Sequence, residues 1–116
     1  FPKSESLYRK KDIQELFDNG SSLYLYPFRV IVQKLAPQNT NQVLFSVSKK
    51  NFKNAVDRNL IKRRMREAYR LNKAELPSAS GWQMAYIYTA KDILEFAKIQ
   101  DKMAAALKRI SGHEQA

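Results

Sequence analysis

The residues with the clearest chemical potential are cationic and lie close together in the chain. Residues 49–73 contain ten lysines and arginines but only two acids, Asp57 and Glu67, so this stretch holds +8 of the net charge of +10. A solvated surface usually mixes the two signs, and charge concentrated in this way is typical of a binding surface for a polyanion. The sequence therefore predicts one polyanion-binding segment rather than a generally basic protein.

A helical wheel of residues 55–76 separates the charges from the apolar side chains. At about 100° per residue, an arc of roughly 140° holds seven polar residues: Arg58, Asn59, Lys62, Arg63, Arg66, Arg70 and Lys73. The opposite side is apolar except for Arg64 and consists of Leu60, Ile61, Met65, Ala68 and Leu71, with Tyr69 at the boundary. Like charges four residues apart oppose helix formation by a few tenths of a kcal/mol. Folding therefore does not favour this face, and we interpret it as a surface for phosphates.

Groups that could perform catalysis are sparse. The chain has no cysteine, and its one histidine, His113, lies near the C-terminal end. Glu67 is the one acid within the cationic helix face, either paired with a neighbouring arginine (Arg63, Arg64 or Arg70) or orienting an arginine or a hydrated metal. Hydrolytic enzymes need paired carboxylates, histidines or a nucleophile with its base. We predict no catalytic and no metal-ligating residue.

The elements that must position the cationic face follow from periodicity. We predict helices over residues 7–19, 55–76 and 92–110 and strands over residues 21–26, 28–35, 43–48 and 82–88. Gly20 is a candidate left-handed cap for the first helix, and Asn54 is a candidate N-cap for the second. The turn at residues 36–41 favours a hairpin between the second and third strands. The order α-β-β-β-α-β-α predicts an α+β sandwich in which helices pack on one central four-stranded sheet.

Two sets of strand residues allow more than one interpretation. Trp82, Tyr86 and Tyr88 alternate along the fourth strand, as core aromatics do and as base-stacking aromatics do. Ser46 and Ser48 could place hydroxyls on an open sheet face, where they would meet either RNA or water.

Composition limits the kind of protein. The 116 residues are 44% hydrophobic, which suits a single folded domain over residues 1–116 with a frayed tail at residues 111–116. The apolar runs are far shorter than the ~20 residues of a membrane span. No secretory leader is visible and cysteine is absent, so we expect a cytoplasmic protein that needs no membrane and no protein partner.

One long segment resembles a known family. Phe45-Ser46-Val47-Ser48-Lys49-Lys50 is followed by Asn54-Ala55-Val56-x-Arg58-Asn59-x-Ile61-Lys62-Arg63-x-x-Arg66-Glu67. This pattern resembles the signature of the protein subunit of bacterial ribonuclease P. The positions of the first helix, the second strand and the aromatic strand are similar to that family as well.

The resemblance implies a function and a set of partners. Members bind a catalytic RNA, ribonuclease P RNA, and the holoenzyme removes the 5′ leader of precursor tRNA by Mg²⁺-dependent hydrolysis that the RNA performs. The family fold also implies a left-handed βαβ crossover. With the basic linker included, the RNA-binding residues would be Lys49, Lys50, Lys53, Arg58, Asn59, Lys62, Arg63, Arg66 and Arg70. The leader-binding cleft would be formed by Ile13, Phe17, Ile31, Ser46 and Ser48.

This chain departs from the family pattern at three of its positions. Leu60 stands where the family motif has an arginine, so one contact is absent or is taken over by Arg63 or Arg64. Ile13 and Ile31 stand where relatives often have aromatic residues, and isoleucine cannot stack as a ring does. The alternative function is a general RNA-binding or RNA-chaperone module with no nuclease association.

Overall fold

The computed structural model describes residues 3–35, 40–76 and 81–115. Its helices and strands follow the predicted order: α1 Lys10–Asn19, β1 Ser21–Leu25, β2 Phe28–Lys34, β3 Gln42–Val47, α2 Ala55–Asn72, β4 Trp82–Tyr88 and α3 Phe96–Gln115. Short 3₁₀ helices at Lys3–Glu5 and Lys73–Glu75 are additional. The predicted α+β architecture with one four-stranded sheet is confirmed. Most of the predicted 36–41 turn and of the segment after α2 lies outside the described residues.

The order of strands in the sheet differs from the simplest expectation. The strands lie in the order β1-β2-β4-β3, and β4 is antiparallel to β2 and parallel to β3. The predicted hairpin between β2 and β3 is therefore wrong. The physical reason is that β4 is buried on both of its sides from Trp82 to Tyr86 and is mostly apolar, so it lies inside the sheet rather than at an edge. β3, α2 and β4 form a parallel βαβ unit, and its left-handedness stays a prediction.

The two faces of the sheet carry different layers. One face packs against α2 and α3 and forms the main core, with Phe28, Val30, Met84 and Tyr86 among its buried residues. The other face carries α1 over a smaller cluster of Leu7, Leu16, Ile31 and Ala85. Because α1 is a single short helix, it covers only the middle of that second face.

The ends of α1 and α3 differ from prediction for identifiable reasons. Leu7 is extended and donates its N–H to the carbonyl of Val43 at 3.0 Å, so α1 begins only at Lys10. The Tyr88 hydroxyl donates to Asp92 O at 2.6 Å and accepts from Leu94 N at 3.1 Å, which holds that turn out of helical geometry. α3 begins at Phe96 and continues to Gln115, through most of the segment for which we expected a frayed tail.

Gly20 ends α1 in a different way from the predicted left-handed cap. Its backbone is extended, with φ −74° and ψ 157°. A Cβ atom at this position would lie 2.5 Å from Leu16 O and 2.8 Å from Ile31 Cγ2. Glycine is therefore required by the close approach of the chain to α1 and β2, and not by a positive φ.

The apolar side of α2 is narrower than the wheel predicted. Ile61, Met65, Ala68 and Tyr69 are buried as expected. Leu60 is only partly buried and Leu71 is 48% exposed, so the prediction that both belong to the core side is wrong. α2 packs against the sheet and α3 along one stripe, and these leucines lie beside it.

The aromatic residues of β4 belong to the core. Trp82, Tyr86 and Tyr88 are buried, and the Tyr86 ring lies between Phe28 at 5.8 Å and Phe45 at 5.7 Å. The interpretation of these rings as a base-stacking surface is wrong, because their face of the sheet is covered by α2 and α3.

Candidate nucleic-acid interface

The linker between β3 and α2 is a well-anchored turn that exposes three lysines. Ser48 Oγ accepts a hydrogen bond from Lys50 N at 3.1 Å, and Ser48 O accepts one from Phe52 N at 3.1 Å. The Phe52 ring is buried 6.0 Å from that of Tyr88. Lys49, Lys50 and Lys53 are exposed around this anchor.

Arg58 connects this linker to the first turn of α2. Its Nη1 donates to Phe52 O at 2.7 Å and to Lys53 O at 2.8 Å. Asn54 occupies the predicted N-cap position, but its side chain makes no capping bond. The side chain of Arg58 therefore holds the linker through Nη1, and its Nε and Nη2 carry further N–H donors.

On the next two turns of α2, most polar side chains of the cationic face are exposed to solvent. Asn59, Arg63 and Arg66 are exposed and Lys62 is half-buried. A shallow cleft of about 580 Å³ runs among Val56, Asn59, Leu60, Arg63 and Arg66. Leu60, which stands where the family motif has an arginine, supplies an apolar side chain to this cleft.

Three other basic residues of α2 and the turn after it are engaged within the protein. Arg70 forms a two-pronged ion pair with Glu67, with Nε 3.1 Å from Oε2, and this hydrogen bonding lowers the pKa of Glu67. Lys73 Nζ lies 3.0 Å from the carboxylate of Glu5. Arg64 Nη1 donates to Leu94 O at 2.7 Å and so joins α2 to the segment before α3.

These contacts divide the predicted RNA-binding residues. Arg70 is ion-paired with Glu67, and Arg58 holds the linker with Nη1. We call the remaining set the basic ridge: Lys49, Lys50, Lys53, Asn59, Lys62, Arg63 and Arg66. Its members occupy consecutive parts of one turn and one helix, so an extended polyanion could contact them in sequence.

The second face of the sheet contains the predicted leader-binding residues. Strand register divides this face into three rows, because directly opposed residues share a face. Ser22, Ile31, Ala85 and Leu44 form the middle row, and α1 packs over its apolar residues. Ile31 is only 6% exposed, so its side chain has almost no surface for a leader.

Ile13 and Phe17 lie on α1 as predicted, but their side chains differ in solvent exposure. Ile13 is partly buried against the cluster beneath α1, together with Leu44 and Ile87. Phe17, four residues further along the same side of α1, is 43% exposed. Phe17 is therefore not a core residue and has an aromatic surface available for a ligand.

A row of four residues beside α1 contains Ser46, which was predicted from the sequence, and three residues that were not. We call it the open row, and it crosses all four strands in direct register: Tyr24, Arg29, Ile87 and Ser46. Tyr24 and Arg29 are exposed, and Arg29 Nε donates to Ser22 Oγ at 3.3 Å. Alternation along β1 could have indicated Tyr24, but only the pairing of β2 with β4 places Arg29 on the same row as Ser46.

The structure brings Ser46 to this row and gives Ser48 another role. The Ser48 hydroxyl caps the linker turn, as described above. Within residues 3–35, 40–76 and 81–115, no three histidine or acidic side chains lie close enough to hold a metal ion. No helix among the described residues has the length and hydrophobicity to cross a membrane.

Comparison with known proteins agrees with this geometry. The family model described as Ribonuclease P matches residues 1–111. The ribonuclease P protein component of Porphyromonas gingivalis (strain ATCC 33277) is 34% identical, over 96% of this chain and 86% of its own length. That of Geobacter sp. (strain M21) is 39% identical, over 95% of this chain and 91% of its own length.

Solved structures of such proteins share the fold. The Staphylococcus aureus ribonuclease P protein superposes with a TM-score of 0.78 at 28% identity, covering 93% of this chain and 96% of its own. The protein from Thermotoga maritima superposes with a TM-score of 0.77 at 28% identity, covering 90% of this chain and 96% of its own. The predicted family is therefore confirmed, and the chain belongs to the ribonuclease P protein family, whose members are components of an endoribonuclease that works with an RNA subunit in tRNA processing.

Proposed function

We propose that this chain binds ribonuclease P RNA through the basic ridge. The observation that carries the proposal is that Asn59, Arg63 and Arg66 are exposed on α2 while the neighbouring charges of Arg58, Arg64 and Arg70 are engaged by protein groups. The exposed guanidinium groups can each make two parallel hydrogen bonds to phosphate. The cleft at Leu60 suits a ribose or base face between two phosphate contacts.

We also propose that the 5′ leader of precursor tRNA lies along the open row and Phe17. Phe17 and Tyr24 offer exposed rings, on which unpaired bases can stack. Arg29 offers a cation, and Ser46 offers a hydroxyl on the same row. Ile13 and Ile31 pack in the apolar cluster beside this surface.

Hydrolysis is assigned in this proposal to the RNA subunit. Mg²⁺ prefers several oxygen ligands, usually with phosphates among them. The described residues offer no carboxylate cluster for that ion, and Glu67 is paired with Arg70. We therefore propose that RNA phosphates hold the Mg²⁺ and that the protein contributes binding of RNA and leader, in the cytoplasm.

Reconstitution tests the proposal. The purified chain, a bacterial ribonuclease P RNA and a labelled precursor tRNA are combined with Mg²⁺ at low salt, each omitted in turn. We expect mature 5′ ends with both subunits present, and faster cleavage than with the RNA alone. The protein alone should leave the precursor intact.

Two results would contradict the proposal. Cleavage by the protein alone would make it a nuclease in its own right. Tight RNA binding without any stimulation of cleavage by several bacterial ribonuclease P RNAs would favour the general RNA-binding or RNA-chaperone module instead.

A further inference from the structure

A second cavity opens on the same sheet face as the open row, on the other side of α1. Its volume is about 610 Å³, and Gln42 and Gln83 line it. These two residues are directly opposed in register and lie in the third row of this face, beyond the middle row that α1 covers. We call this cavity the glutamine cleft. It is separate from every residue assigned above to RNA or leader.

The described residues that line the glutamine cleft are polar but carry almost no net charge. Arg9 and Asp12 contribute one charge of each sign, and the hydroxyls of Ser6 and Thr40 are among the other polar groups. A phosphate site would gather several cations, and a metal site would gather several acids. The described lining has neither composition, and its polar groups suit a ligand recognised mainly by neutral hydrogen bonds.

The two glutamines offer such hydrogen bonds side by side. Gln83 is only 5% exposed, and its Nε2 donates to Gln42 Oε1 at 3.4 Å, which is long for an N–H···O bond. In that bond the Gln83 amide is the donor and the Gln42 carbonyl is the acceptor, so it involves neither the Gln83 carbonyl nor the two N–H groups of Gln42. An adjacent acceptor and donor of this kind match the edge of a purine, and a glutamine amide suits adenine in particular.

An aromatic ring completes the set of groups that a base requires. Tyr8 lines the cleft and is 52% exposed. The guanidinium carbon of Arg9 lies 5.9 Å from the centre of the Tyr8 ring. A base can stack on such a ring while the arginine contacts its phosphate.

We propose that the glutamine cleft binds one unpaired purine nucleotide of an RNA, with adenine favoured. In this arrangement Gln42 and Gln83 contact the base edge, Tyr8 stacks on the base and Arg9 faces the phosphate. The nucleotide comes either from the leader of the precursor or from an unpaired position of ribonuclease P RNA. This assignment of source rests on the proposed function, whereas the binding of a base by these side chains does not depend on it.

The first test uses small probes on the full chain. Adenosine 5′-monophosphate and ribose 5-phosphate are titrated into the ¹⁵N-labelled protein, and the side-chain amide signals of Gln42 and Gln83 are followed by NMR. We expect these signals to shift with adenosine 5′-monophosphate and to stay in place with ribose 5-phosphate. Equal shifts with both probes would reassign the cleft to phosphate, and no shift with either would overturn the proposal.

The second test uses variants in the holoenzyme. Gln42→Leu and Tyr8→Ala remove one amide and one ring, and Gln14→Leu removes an exposed amide of α1 that bonds Asp18 outside the cleft. We expect each cleft variant to bind the RNA that supplies the nucleotide about tenfold more weakly, since one stacked base contributes roughly that much affinity. The control should bind as the parent does, and thermal melts verify that all three fold.

Two arms identify the source of the nucleotide. If the defect appears with a long leader and disappears when the leader is trimmed to a few nucleotides, the leader supplies the base. If it appears in binding of ribonuclease P RNA without substrate, that RNA supplies it. Parent-like affinity of both cleft variants in both arms would overturn the proposal, while unaltered cleavage by those holoenzymes would leave the proposed function standing.

Discussion

Arg58 and Arg66 occupy the same helix face but differ in what they do for the folded protein. Arg66→Ala should lower RNA affinity and reduce the slope of log K against log salt by about 0.7 to 0.9, the share of one phosphate contact. Its thermal midpoint should not change, because the side chain is exposed. Binding titrations at several salt concentrations provide the measurement, and Lys102→Ala on the exposed side of α3 is the matched control.

Arg58→Ala should have two effects where Arg66→Ala has one. Removing Nη1 leaves the carbonyls of Phe52 and Lys53 without that donor, so we expect a loss of about 1–3 kcal/mol in the free energy of unfolding besides weaker binding. Denaturant unfolding measures the first effect. A parent-like unfolding curve for Arg58→Ala would show that the linker does not depend on this side chain.

Glu67 pairs with Arg70, and we expect this pair to oppose RNA binding. Glu67→Gln should release the Arg70 guanidinium, tighten RNA binding a few-fold and steepen its salt dependence. The pKa of Glu67 is lowered by the Arg70 hydrogen bonds, so the carboxylate of the parent is ionised at neutral pH and the effect persists there. Arg70→Gln, which removes the guanidinium itself, is the companion variant. Unchanged RNA affinity in Glu67→Gln would indicate that Arg70 lies outside the RNA contact.

At the scale of elements, the junction of α1 and β1 depends on the missing side chain of Gly20. Gly20→Ala should destabilise the protein by about 1–3 kcal/mol, because its Cβ would collide with Leu16 O and Ile31 Cγ2. Among the described residues nothing lies within 4 Å of a Cβ built at Gly112 on α3, so Gly112→Ala should stabilise by about 0.5–1 kcal/mol. Denaturant unfolding of both variants measures these opposite signs, and a neutral Gly20→Ala would disprove the close approach.

The packing stripe of α2 distinguishes two apolar residues that the wheel treated alike. Ile61→Asp should unfold the domain, because Ile61 is fully buried and a carboxylate there would have no partner in the core. Leu71→Asp, on the same helix, should fold, because Leu71 is half exposed. Circular dichroism and thermal melting separate the two, and a folded Ile61→Asp would contradict the burial of this stripe.

For the molecule as a whole, the buried tyrosines set an alkaline limit to stability. Burial raises the pKa of Tyr69 to about 12 and that of Tyr86 well above its usual value near 10. The unfolded chain therefore ionises first, so stability is intact below about pH 10 and is lost as pH rises toward the folded pKa values. Each such tyrosine costs about 1.4 kcal/mol per pH unit in that window.

Tyr86→Phe tests this limit. The Tyr86 hydroxyl is buried and has no hydrogen-bond partner among the described residues, so its removal should raise the free energy of unfolding by about 1 kcal/mol at neutral pH. It should also flatten the decline above pH 10. Tyr24→Phe removes an exposed hydroxyl and is the control, and an equally steep decline in Tyr86→Phe would show that Tyr86 does not contribute.

The basic segment could be predicted because its evidence is local. Charge, helical spacing and the family signature all lie within residues 45–76, where neighbours in sequence are neighbours in space. The order and kind of the elements follow in the same way, since periodicity of 2 or 3.6 is visible in short windows. The N-cap position at Asn54 and the buried set of Ile61, Met65, Ala68 and Tyr69 agree with that reading.

What the sequence by itself determined is therefore the family, the elements and the location of the charge. Only the tertiary structure decided which charges are available for binding. Folding brings Lys73 to Glu5, Arg64 to the carbonyl of Leu94, and Arg58 to the linker carbonyls. It also decided that β4 separates β2 from β3, which aligns the open row and the glutamine cleft across strands far apart in sequence. Such surfaces depend on strand register and long-range packing, and no local pattern encodes either.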